Sequence, residues 1–317
     1  MKNDSRKILG LHLPYLSGNE KKYLSQSISS NFISTFGPYV EKFEKKIKNL
    51  TKSNYVVAVN SGTSALHISL LLSNTKPGNE VIVPTISFIA PINVIIYCKA
   101  NPIFMDVDEY LNIDVKKTIN FLRYNTVRKG KFTYNKKTKK KISTLILVHV
   151  YGNLADIKPL IKICKEKNID IIEDAAESIG SYYKNFDFKK HSGTIGKFGC
   201  LSFNGNKLIT TGAGGAILTQ NKNLAAKARY LVNQAKNDPI NYVHNEVGYN
   251  YRMSNLHAAV GLAQIEKIKK ILKNKKKIYS YYSNSISKIN GLSILKHPNY
   301  CIANNWINLV KINKNIY

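Results

Sequence analysis

The sequence predicts an α/β protein with a large, mainly parallel sheet covered by helices on both faces, followed by a smaller α/β part. Three observations predict it. From about residue 55, short apolar runs rich in β-branched residues alternate with helix-forming segments. The runs are apolar throughout rather than at every second position, which marks strands buried on both faces. With 317 residues and 44% hydrophobic content, the chain can bury one large core and a smaller one.

The elements follow in order. Tyr55–Val59 (YVVAV) is the first strand, and Thr63–Ser73, made of good helix formers without a breaker, is the helix after it. Glu80–Pro84 is a strand, Phe88–Tyr97 a helix, Pro102–Asp108 a strand and Val115–Leu122 a helix. The polar stretch Tyr124–Lys141 reads as a two-stranded excursion. Thr144–Val150 (TLILVHV) is the clearest buried strand, Ile157–Lys167 is helical, and Asp170–Ala176 is a strand running into a loop. Cys200–Phe203 and Ala216–Thr219 are strands on either side of a glycine-rich loop. One long helix over Arg252–Lys277 then leads to two further strands, Gly291–Leu295 and Trp306–Ile312. The expected division is a large domain over 1–236 and a small one over 237–317. Ligands of such sheets bind outside the carboxyl ends of the strands, so the residues just after strands are the ones to examine.

Composition removes several function classes. The net charge of +29 invites a nucleic-acid reading. The lysines, however, spread over most of the chain beside many Asn, Ile and Tyr residues, as in AT-rich coding. Those of Lys267–Lys277 form the wet face of a helix whose Leu262, Ile265, Ile268, Ile271 and Leu272 recur at helical spacing. No recognition helix or aromatic RNA-binding signature accompanies them. The charge therefore reads as solvated surface that also attracts an anionic ligand, with no nucleic-acid partner. Cys98, Cys164, Cys200 and Cys301 lack CxxC spacing, which argues against a metal site or a disulfide framework and fits a reducing cytoplasm. The opening MKNDSRKILG is not a signal peptide, and no window approaches the roughly 20 apolar residues of a membrane helix.

Four motifs can carry chemistry. In NSGTSAL (Asn60–Leu66) a strand ends, Gly62 follows and a helix begins with Thr63 and Ser64. A helix N-terminus presents unpaired N–H groups to a phosphate, and it is equally an ordinary cap. In EDAAES (Glu173–Ser178), Asp174 ends an apolar strand, where a buried carboxylate needs a cationic partner. In SFNGNKLITTGAGG (Ser202–Gly215), Lys207 precedes Leu208 and Ile209, and a lysine in apolar surroundings can serve as a nucleophile. In GYNYRMSNLHAAVG (Gly248–Gly261), Asn250 and Arg252 precede a helix.

Each motif also has a plain structural reading, but their order and spacing together resemble the DegT/DnrJ/EryC1/StrS family of sugar aminotransferases that depend on pyridoxal 5′-phosphate (PLP). STFGPYVEKFE (Ser34–Glu44) and VHVYGNLADI (Val148–Ile157) extend the likeness, which runs from about Leu13 to the end of the chain. The resemblance implies the aspartate-aminotransferase-like PLP-dependent transferase fold type I. It implies that Lys207 holds PLP covalently and that Asp174 pairs with the pyridine nitrogen. Thr63, Ser64 and Ser202, with the backbone after Gly62, then bind the phosphate. Phe88 stacks on the ring, and Ala176 and Glu177 adjoin it. Asn250 reaches the phosphate of a neighbouring subunit's cofactor, so a homodimer is expected. Glutamate is the implied amino donor and a nucleotide-linked 4-keto-6-deoxy sugar the acceptor, for surface-glycan biosynthesis. LSGNE (Leu16–Glu20), STFGPYVEKFE (Ser34–Glu44) and FTYNKKTKKK (Phe132–Lys141) are similar to the branch that aminates UDP-4-keto-6-deoxy-N-acetylglucosamine, on routes to legionaminic acid or bacillosamine.

Three departures stand out. Glu177 replaces the Gln or His of many members, and Ala213 replaces a Glu. Members also run several tens of residues longer, so the second domain is expected to be incomplete. That leaves a truncated inactive or regulatory homologue as the alternative. A sugar dehydratase of the same fold is disfavoured, because such members carry His at the position of Lys207.

Overall fold

The structure, a computed structural model, describes residues 10–238 and 240–317. In chain order its elements begin with α1 (Glu20–Ser29), α2 (Pro38–Thr51), β1 (Tyr55–Val59), α3 (Gly62–Leu72), β2 (Glu80–Pro84), α4 (Ala90–Tyr97) and β3 (Asn101–Met105). There follow α5 (Val115–Tyr124), β4 (Thr126–Lys129), β5 (Phe132–Asn135), β6 (Lys141–Val148), α6 (Ile157–Glu166), β7 (Asp170–Asp174), β8 (Tyr182–Tyr183), β9 (Lys190–His191), β10 (Phe198–Ser202) and β11 (Gly215–Thr219). The remainder is α7 (Lys222–Val232), β12 (Lys236–Asp238), β13 (Val243–His244), α8 (Asn255–Glu266), α9 (Ile268–Ile286), β14 (Leu292–Ile294), β15 (Cys301–Ile302) and β16 (Val310–Ile312).

Among these residues, nine strands form one sheet in the order β1-β11-β10-β7-β6-β2-β3, extended by the hairpin β4–β5 beside β6. Pairing is parallel from β10 through β7, β6 and β2 to β3, and antiparallel where β11 meets β1 and β10. The expected mainly parallel sheet is present, with β11 reversed near one edge and β5 of the hairpin reversed against β6. The hairpin is the polar excursion expected over Tyr124–Lys141.

Alternation along each strand shows why the runs are apolar throughout. Val57 and Val59 of β1, with Ile146 and Val148 of β6, pack with α3, α4 and α7 on one face. Val56 and Ala58 of β1 meet α2 and α8 on the other, while Leu145 and Leu147 of β6 meet α5 and α6 there. Both faces are thus covered, which is why the strands are largely apolar along their length. The four cysteines are buried and unbonded to one another. No described helix is long and apolar enough to cross a membrane.

Three expectations need correction. The long helix breaks at Lys267, whose N–H bonds the carbonyl of Gln264 three residues back, so the ladder of four-residue bonds is interrupted between α8 and α9. Neither Gly nor Pro signals that break. The first of these helices is wrapped by α1 and α2, with eight of its residues buried, whereas the lysine-rich second buries Ile268 and Ile271 alone. The helix expected from Phe88 starts two residues later, which leaves Phe88 71% exposed in the preceding turn. The strand expected over Trp306–Ile312 is confined to Val310–Ile312, because Asn305 takes a left-handed φ of 54° and turns the chain. Trp306 is buried, 4% exposed, beside the main sheet.

Candidate active site

Five strand ends converge on one cavity of about 480 Å³. It lies at the carboxyl edge of β1, β2, β6, β7 and β10, where a sheet of this topology leaves space that no side chain of the layers can fill.

At the end of β1 the NSGTSAL motif becomes the start of α3. Ser61 is the cap, its Oγ accepting the N–H of Ser64 at 3.0 Å, and the Ser64 hydroxyl is turned to Asn60 Oδ1 at 2.6 Å. This leaves the amides of Gly62 and Thr63 without an intrahelical acceptor, at the positive end of the helix dipole. Gly62 and Thr63 line the cavity. Ser64 is buried behind it, committed to the cap. Glycine is required at 62 because a Cβ there would come within 2.8 Å of Ser202 Cβ, and Ser202 lines the same wall. Gly215 is tighter still: its Cβ would meet the Ser61 carbonyl carbon at 2.5 Å. The glycine run thus lets β11 press against the turn that exposes those amides.

At the end of β7, Asp174 opens into the cavity next to Ala176 and Glu177. Its carboxylate accepts one protein hydrogen bond among the described residues, from the Ala176 N–H at 3.1 Å. Burial pushes this carboxyl up to about 6, and the nearby Glu177 adds to the rise. One amide is too little to offset the desolvation of a carboxylate, so the site is built for a further donor or cation.

Lys207 arrives from the loop after β10, held by a turn from its N–H to the Asn204 carbonyl and by Leu208 and Ile209, both buried in the core. Its Nζ lies 3.2 Å from Glu177 Oε1 and 4.6 Å from the centroid of the Trp306 ring. Glu177 Oε2 in turn accepts the N–H of Tyr151 at 2.8 Å, a residue with a left-handed φ of 55°.

Lys207 and Asp174 therefore face one cavity. Phe88 lies at its rim. Asn250 does not: it is exposed, with its carbonyl accepting Asn60 Nδ2 at 3.3 Å, and it lies outside this chain's cavity wall. Sequence reasoning missed Tyr151, Asn204 and Trp306 as wall residues. Tyr151 and Asn204 follow strand ends and were within reach of the carboxyl-edge rule. Trp306 was hidden in a run that looked like a strand.

The chain matches the DegT/DnrJ/EryC1/StrS aminotransferase family over residues 14–314. It is 36% identical over 283 residues to GDP-perosamine synthase of Escherichia coli O157:H7, covering 89% of this chain and 72% of that protein. It is 33% identical over 304 residues to the putative pyridoxal phosphate-dependent aminotransferase EpsN of Bacillus subtilis, covering 96% of this chain and 75% of that one. The fold matches the aminotransferase TlmJ from Streptoalloteichus hindustanus with a TM-score of 0.85 at 22% identity, over 98% of this chain and 80% of that one. It matches Helicobacter pylori PseC with a TM-score of 0.83 at 22% identity, over 98% and 79%. A cavity with an amine, a buried acid and a phosphate-ready helix end, in a chain of this descent, makes the protein a member of the DegT/DnrJ/EryC1/StrS family, the PLP-dependent sugar aminotransferases.

Proposed function

We propose that the protein aminates a nucleotide-linked 4-keto-6-deoxy sugar with glutamate as donor, using PLP held by Lys207 and Asp174, in the cytoplasm and for surface-glycan biosynthesis. The observation that carries this reading is the shared cavity of those two side chains. The residues present fit the cofactor. An under-bonded buried carboxyl at 174 suits a protonated pyridine nitrogen. The Gly62 and Thr63 amides, the Thr63 and Ser202 hydroxyls, and the cap formed by Ser61 with Ser64 suit a phosphate. Phe88 at the rim supplies a ring face, and Ala176 leaves room beside it.

When bound, PLP supplies an electron sink for charge developing at the donor's Cα. The chain's own residues do the rest. Asp174, ionised against the pyridine nitrogen, keeps that nitrogen protonated. Lys207 first holds the cofactor through its amine. With PLP bound, Lys207 Nζ would be the group that accepts the donor's Cα proton and that delivers a proton to the sugar carbon that comes to bear the amine. Glu177, 3.2 Å from that amine in the ligand-free site, would orient it. Asn250, exposed on this chain, is placed by the same reading against a second copy's phosphate, in a homodimer. The large domain, 1–236, then carries the cofactor, and 237–317 adds Trp306 and Ile307 to the cavity wall.

The relatives' names include GDP- and UDP-linked amino sugars. The acceptor branch is therefore tested with a panel of UDP-, GDP- and dTDP-linked 4-keto-6-deoxy sugars, glutamate and the purified chain, read by mass spectrometry. We expect an amino sugar from the UDP-linked N-acetylated substrate. Amination of the GDP-linked sugar alone would reassign the branch. A deoxygenated product would favour a dehydratase, and cofactor binding with no product from any sugar would favour an inactive homologue.

A further inference from the structure

We propose that Trp306 is a positioning residue for Lys207: the indole face and the Glu177 carboxylate together hold the lysine amine while it is bonded to nothing else. This rests on the reading of Lys207 as the cofactor-bearing amine and adds to it a residue from the opposite end of the chain.

The amine lies 3.2 Å from an anion, Glu177 Oε1, and over an aromatic face, 4.6 Å from the indole centroid. The second distance is inside the range of about 6 Å over which a ring's negative face attracts a cation, and tryptophan is the strongest such partner. A lysine amine on a four-carbon stem otherwise samples many rotamers, and proton transfer needs it at one place.

Both walls of this receptor are fixed from behind. Glu177 is tied through its other oxygen to the Tyr151 N–H, and through its carbonyl to Asn304 Nδ2 at 2.8 Å. Trp306 is pinned at three points. Its N–H donates to Asn304 Oδ1 at 3.0 Å, its indole N–H donates to the Asn206 carbonyl at 2.9 Å, and its carbonyl accepts Lys275 Nζ at 3.0 Å. The ring's polar atom and its main chain are thus committed, and what remains to face the cavity is the π surface. Asn304 touches both walls, so a single buried amide sets the spacing between the carboxylate and the ring. His12 packs edge-on to the indole from outside, 6.2 Å between centroids. A tryptophan needed merely to fill volume would not require its face to meet the one amine of the site.

The chain has a single tryptophan, so its fluorescence reports on this residue alone. An ammonium against an indole face quenches emission by donating a proton to the excited ring. In the cofactor-free full chain, Lys207→Met should therefore emit more brightly than the unaltered protein at neutral pH. Equal emission would overturn the contact. In the loaded enzyme, Trp306→Leu should lower kcat by about 2- to 30-fold, the span of a cation–π contact, with both KM values within about twofold. Trp306→Phe, which keeps a ring face, should recover most of that loss. An unchanged kcat in Trp306→Leu, or an effect on KM alone, would make Trp306 a plain wall and overturn the proposal. Should Trp306→Leu fail to fold, the Lys207→Met fluorescence, which leaves the tryptophan in place, still decides. Borohydride that fixes PLP to Lys207 while these arms fail would overturn this inference alone. Borohydride that fixes none there would overturn the reading beneath it.

Discussion

Glu173 and Asp174 are neighbours at the end of one strand, both carboxylates, both buried, and they point to opposite faces of the sheet with opposite consequences. Glu173 accepts hydrogen bonds from His149 Nε2 at 3.0 Å and from the amides of Gly193, Ile195 and Gly196 at 2.7–2.8 Å. Burial alone would raise its carboxyl, but the His149 bond and the amides outweigh it and hold Glu173 below the usual carboxylate range. Asp174 has one amide and an open cavity, and burial raises it to about 6. A fully bonded buried acid is structural. An under-bonded one beside an amine and a cavity awaits a ligand. Burial does not separate the two; the supply of donors does.

The widest break between the two faces should come from the chemistry side. Lys207→Ala should reduce transamination by about a thousandfold or more while leaving the melting transition in place. A variant retaining a tenth of the activity would remove Lys207 from its role. On the structural face, Glu173→Ala should cost about 3–5 kcal/mol, measured by urea unfolding, because His149 and three amides lose their shared acceptor. A cost below about 1 kcal/mol would erase the distinction between the two acids.

Asp174 should behave in the opposite sense in the cofactor-free protein. Its folded value lies above the usual 3.8, so the folded state binds this proton more tightly than the unfolded chain. Its contribution is fully present below the usual 3.8 and is lost as pH rises through about 6, an effect on the order of 3 kcal/mol. Asp174→Asn should therefore flatten the fall in stability between pH 4 and about 6, and at pH 8 it should match or exceed the unaltered chain. On the proposal that a protonated pyridine nitrogen is the missing partner, added PLP should raise Tm more at pH 8 than at pH 5. An equal rise at both values would mean that Asp174 does not meet that nitrogen. The smallest effect is steric. Gly215→Ala drives a Cβ to 2.5 Å from the Ser61 backbone and should cost about 1–3 kcal/mol, with weaker cofactor retention.

Much of this contrast could be read from residue order, and parts could not. The strand runs, the cap at NSGTSAL and the loop bearing Lys207 follow from local chemistry, because apolar β-branched runs, Ser caps and glycines act over a few residues. The meeting of Lys207 with Asp174, 33 positions apart in the sequence, needs the ends of β7 and β10 to become neighbours through the parallel pairing of those strands. Periodicity cannot show that, and the motif resemblance supplied it. The opposite fates of Glu173 and Asp174 depend on which face carries the loop of Gly193–Gly196, a tertiary fact. Trp306 was misread because WINLVKI is apolar enough for a strand, while the turn at Asn305 and the anchor at Asn304 act before it. The break at Lys267 carries no Gly or Pro. It arises where a helix wrapped by α1 and α2 gives way to one with a mostly wet surface.

The central claim is that one amine and one under-bonded acid serve the same cofactor. Borohydride reduction of the PLP-loaded chain, followed by peptide mass spectrometry, tests it most directly. The phosphopyridoxyl mass should fall on the peptide containing Lys207 in the unaltered protein, and its yield should drop sharply in Asp174→Ala. Label on another lysine, or a yield indifferent to the loss of Asp174, would contradict the account.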